Sequence, residues 1–137
     1  MDETVIVVMT KDVRTGFLEK ELLSFRLMVH EELLVNIFAL EAADGWRLCM
    51  KVSTGRDVED WQFDAIYDYY DTGVFVQAGA VAEEEADCHN PTWALAFACP
   101  DNLDDAGRIV ADLLRIHADE LAAVYETIQH QEEAYSV

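Results

Sequence analysis

Cationic side chains are scarce in this chain: 9 Lys and Arg stand against 28 Asp and Glu, for a net charge of -19. That imbalance argues against nucleic acid as a partner, because phosphates need a basic patch, and against anionic membrane surfaces for the same reason. Long apolar runs are missing too. No stretch approaches the roughly 18 residues of a membrane-spanning helix. "TVIVVM" near the start follows Asp2 and Glu3 where a signal peptide would carry basic residues, and it is too short. Cysteine is limited to Cys49, Cys88 and Cys99, an odd number without C-x-x-C spacing, so no disulfide framework is expected. Cys88 adjoins His89, but a structural zinc site needs four ligands and no second pair lies near. The P-loop, G-x-G-x-x-G, G-x-S-x-G and H-E-x-x-H motifs are absent as well. No cofactor and no metal are expected.

The hydrophobic content of 52% is enough for a buried core despite the charge. The length suits one domain over residues 1–137. A cytoplasmic location is the expectation.

Apolar β-branched residues at 4–10 predict a central strand buried on both faces. "KDVRTG" reads as a turn. A second strand is expected in the later part of 17–29, with a short helix at the acid-rich 19–21 as the alternative. Residues 33–41 predict a third strand, and Asp44-Gly45 predicts a hairpin with that pair at its centre. In 46–53, Trp46, Leu48, Met50 and Val52 alternate with Arg47, Cys49, Lys51 and Ser53, the pattern of a half-solvated antiparallel strand. A helix capped by Asp57 is expected from Val58 to about Tyr70. "VFVQAGAVA" and "TWALAFAC" predict the fifth and sixth strands, the latter buried on both faces. A long helix over 102–130 carries Ile109, Leu113, Ile116, Leu121, Val124 and Ile128 on one side. The expected fold is α+β: a mostly antiparallel sheet of about six strands in the order β-β-β-β-α-β-β-α, with two helices on one face.

The first helix raises the functional question. At 100° per residue, Asp57, Asp60, Asp64, Asp68 and Asp71 fall within a sector of about 80°. Val58, Trp61, Ala65, Ile66 and Tyr69 should face the core. Phe63, Tyr67 and Tyr70 widen the apolar arc beyond what one sheet contact needs. Aromatics beside carboxylates suit protein contact, so Trp61, Asp64, Tyr67, Asp68, Tyr70 and Asp71 form a candidate partner-binding surface. The partner is either another protein or a second copy in a homodimer. The acidic stripe itself reads as a solvated face, since a metal site would need ligands from a second element. His117, amid the long helix's apolar side with Glu120 one turn away, has two readings. One is a hydrogen-bonded core histidine; the other is a general base in a pocket between sheet and helices. The favoured reading is a non-catalytic protein-binding module, the competing one a small-ligand binder or enzyme near His117. A third reading takes the acidity as salt adaptation alone.

Overall fold

In the computed structural model, which describes residues 4–135, six strands form one sheet: across it lie β2 (Leu18–Leu27), β1 (Thr4–Lys11), β3 (Leu34–Ala42), β4 (Gly45–Ser53), β6 (Thr92–Ala98) and β5 (Val81–Glu84). The fold is α+β, and the sheet is antiparallel except where β1 and β3 run side by side. β1 (Thr4–Lys11) and β2 (Leu18–Leu27) make a hairpin. Its turn is locked by the Asp12 carboxylate, which accepts the Arg14 N–H at 2.7 Å, and by Gly16 at a φ of 77°. The acid-rich residues 19–21 are extended in β2, which begins earlier than its apolar half suggests. Pairing with β1 overrides the helix alternative.

A left-handed His30 and a turn at Glu31–Leu33 carry the chain past the start of β1 into β3 (Leu34–Ala42). β3 and β4 (Gly45–Ser53) pair as a hairpin. Ala42 faces Gly45, so the turn residues are Ala43 and Asp44, one position earlier than expected. Only Gly45 of that stretch takes positive φ, at 135°.

Helix α1 covers Asp60–Tyr69 and its cap is Glu59, not Asp57. Glu59 and Gln62 form a reciprocal capping box, the Gln62 amide oxygen accepting the Glu59 N–H at 2.9 Å. Asp57 is drawn away to Asn90, whose amide donates to it at 3.0 Å. The expected strand over 74–82 is largely replaced by a 3-10 segment, Thr72–Ala78, leaving a short β5 at Val81–Glu84. Asp71 caps that segment by accepting the Gly73 N–H at 2.8 Å, and a left-handed Gly79 ends it. β6 (Thr92–Ala98) lies between β4 and β5. It alternates rather than being buried on both sides: Trp93, Leu95 and Phe97 point inward, while Ala98 is exposed.

Helix α2 (Ala106–Ile128) spans the inner face of the sheet, and a last turn, α3, follows at Glu132–Tyr135. The centre of its buried stripe is Val110, Leu114 and His117, with Ile109 and Ile116 half-buried at the margin. Val8, Ala39, Leu48, Met50, Trp93 and Leu95 from the sheet close the core against α1 and α2. Both long helices therefore lie on one face. Among the described residues no helix is long and apolar enough to cross a membrane.

Candidate contact surface

Cap and register decide where each α1 side chain goes. Trp61 is half-buried, and its indole N–H donates to the Glu59 carboxylate at 2.7 Å. Tyr67 turns inward. Its ring meets Phe63 and Trp93 edge-on, with centroids 5.2 and 5.4 Å away. Its hydroxyl donates to the Glu85 carbonyl at 2.9 Å and accepts the Thr92 N–H at 2.9 Å, tying α1 to the β5–β6 connection. Burial raises its phenol above the ordinary range.

Tyr70 departs furthest from a surface role, at 7% exposure. Its ring stacks on Trp93 at 4.0 Å, and its hydroxyl lies 2.7 Å from His117 Nδ1. Tyr69, expected in the core, is 44% exposed. Tyr70 is the C-cap of α1, and its ring is held in the core by the Trp93 stack and the His117 hydrogen bond, while Tyr69, in the last helical position, is left at the surface.

The acids behave differently. Asp64 and Asp68 are exposed, and Asp68 accepts the Tyr135 hydroxyl at 2.7 Å. That hydrogen bond pushes the Tyr135 phenol up to about 12. Asp71 is occupied by capping, and its own N–H donates to the Glu120 carboxylate at 2.9 Å. Of the six residues, Tyr70 lies in the core, Tyr67 and Trp61 are half-buried, and Asp64, Asp68 and Asp71 are exposed.

His117 is a core histidine. The Ser53 carbonyl, 2.7 Å from Nε2, can only accept, so Nε2 carries the proton and Nδ1 accepts from Tyr70. Burial lowers its pKa to about 4, and the ring stays neutral at physiological pH. Both nitrogens are engaged and Trp93 lies edge-on at 5.3 Å, which leaves no lone pair for a substrate. Among the described residues no three His, Cys, Asp or Glu side chains converge to hold a metal ion. Of the adjacent pair, Cys88 lies against the Ala86 carbonyl and His89 Nε2 sits 3.3 Å from Asp57.

An exposed apolar area lies on the sheet face turned away from the helices. Val5, Val7, Leu18 and Val81 stand from 44% to 61% exposed, and register sets them on that one side. Met9, Phe38, Leu40 and Cys49 continue it at half burial. Val5, Val7, Val35 and Asn36 help to line a hollow of about 290 Å³ where β1 and β3 diverge. Four of the 9 Lys and Arg share the face: Lys11, Arg26, Arg47 and Lys51. The acids placed there by register are Glu21 and Glu83. Lys11 lies over the Phe38 ring at 4.3 Å, and Lys51 pairs with Glu85 at 3.8 Å. Sequence reasoning misses this surface because β1 is apolar on both sides, a pattern that by itself predicts burial on both. The alternation of Arg47, Cys49 and Lys51 along β4 was the available signal.

Residues 1–136 match a family model described as a family of unknown function, DUF6762. No curated protein and no solved structure matches the chain.

Proposed function

The chain belongs to DUF6762, a family of unknown function, and we propose that it is a non-catalytic protein-binding module whose contact surface is the outer face of its sheet. One observation carries this reading. A chain with 28 acids keeps an extended apolar face among them, bordered by cations instead of covered by a helix. Large exposed apolar patches rimmed by polar groups mark interaction sites. A solvated outer face would ordinarily alternate to polar residues, yet β1 presents Val5, Val7 and Met9 there. The free thiols of Cys49, Cys88 and Cys99 favour the reducing cytoplasm as the place where it works.

The test is photo-crosslinking in the host cell, with a photoreactive residue replacing Val7 on the sheet face or Asp64 on α1. Protein adducts are expected from position 7 and not from position 64. Adducts from position 64 alone would move the surface back to the helix. The absence of adducts from position 7 would sink the reading.

A further inference from the structure

We propose that the occupant of the outer sheet face is a second copy of this chain, docked sheet to sheet about a two-fold axis. This rests on that face being the contact surface, and it adds which partner fits.

Charge makes the first argument. Two chains of -19 repel each other, and the repulsion depends on which sides meet. The helical side presents Asp60, Asp64, Asp68 and Asp119, all exposed. The outer sheet face sets Lys11, Arg26, Arg47 and Lys51 against Glu21, Glu83 and the Glu85 that pairs with Lys51. It is the side on which two such molecules approach with least cost. A basic partner would be steered to the helical side instead.

Area makes the second. Six strands about 4.8 Å apart, averaging roughly eight residues at about 3.3 Å each, present about 750 Å² per copy. A standard stable interface takes roughly 800 Å² a side.

Shape makes the third. The strand order is centred between β3 and β4, so an axis along the strands at that boundary lays β1 over β6 of the other copy. β1 offers the larger Val5, Val7 and Met9. β6 offers Ala94, Ala96 and Ala98 on the same face. Large residues then seat over small ones, as two packed sheets require. The same axis brings the β2 edge with Arg26 over the β5 edge with Glu83. The assembly is a four-layer sandwich, helices outside and two sheets within.

Sedimentation equilibrium tests this on the parent, Val7→Glu, Ala96→Glu and Val76→Glu. Val76 is 68% exposed on the 3-10 segment after α1, so its variant controls for added charge. The parent and Val76→Glu should sediment at twice the 15.5 kDa chain mass at micromolar concentration. The two sheet-face variants should sediment as single chains, with melting temperatures close to the folded monomer's. If Val7→Glu fails to fold, Val5→Glu at the most exposed β1 position, 61%, takes its place. The parent dimer should tighten several-fold from low salt to about 0.5 M sodium chloride, because screening removes repulsion between like-charged copies. A parent that stays single from micromolar to millimolar concentration overturns the inference, as does a dimer that survives both sheet-face substitutions. In the crosslinking experiment, a position 7 adduct to a different protein with no self-adduct would also overturn it, while leaving the proposed function intact.

Discussion

At the scale of the residue, His117 is the clearest case of a titratable group made structural by its surroundings. Its folded pKa, about 4, lies below the ordinary 6.5, so the unfolded chain binds its proton first as pH falls. The stability it contributes is whole above pH 6.5 and is lost progressively as pH drops toward 4, by about 3 kcal/mol over that window. His117→Gln removes that dependence. It should also cost about 2 kcal/mol at neutral pH, since Tyr70 or the Ser53 carbonyl loses its buried partner. Urea unfolding at the two ends of the window checks this through the difference between parent and variant, which cancels the common titration of the carboxylates. Parallel pH profiles would mean that the ring is not held neutral by burial.

At the scale of the element, the contact between α2 and β2 is set by one glycine. A Cβ on Gly107 would come within 2.9 Å of Phe25 Cβ and 3.1 Å of Cγ, near the rigid base of that side chain. Helix propensity alone would reward Gly107→Ala by about 1 kcal/mol. Overpacking against Phe25 costs about 1–3 kcal/mol, so the expected outcome is a net loss near 1 kcal/mol and a lower melting temperature. A more stable variant would show that α2 can lift away from β2 freely. The elements also show where periodicity stops being readable. β4 was legible because one of its faces is buried and the other is not. The 72–78 segment was not legible as a 3-10 helix, since "GVFVQA" is strand-like in propensity and only the Asp71 cap and the left-handed Gly79 turn it aside. At the end of α1, spacing does not tell Tyr69 from Tyr70: Tyr70 is held in the core by Trp93 and His117, and Tyr69 is exposed.

At the scale of the whole molecule, the acids dominate, and ion pairs such as Arg115–Asp112 at 2.6 Å lie at the surface. Such pairs add little, whereas repulsion among a net -19 acts over the entire surface. The melting temperature should therefore rise between low salt and about 0.5 M sodium chloride, where the Debye length has fallen to a few ångströms. Differential scanning calorimetry of Val7→Glu at both salt concentrations separates this folding effect from salt-driven self-association. A flat or falling response would place the stabilising electrostatics in local hydrogen bonds of the carboxylates.

The α+β class, the strand and helix order apart from β5, the inward side of β4 and the place of His117 on the apolar side of the long helix were determined by the sequence alone. Each rests on local periodicity. The tertiary structure decided which face of the sheet the helices cover, and with it the location of the exposed apolar surface. β1 is apolar on both sides, so its sequence is equally compatible with burial on either; only the placement of α1 and α2 leaves Val5 and Val7 outside. Tyr70 followed the same rule. Its ring was assigned to Trp93 and His117 by contacts across the core from β6 and α2, which spacing along α1 does not encode.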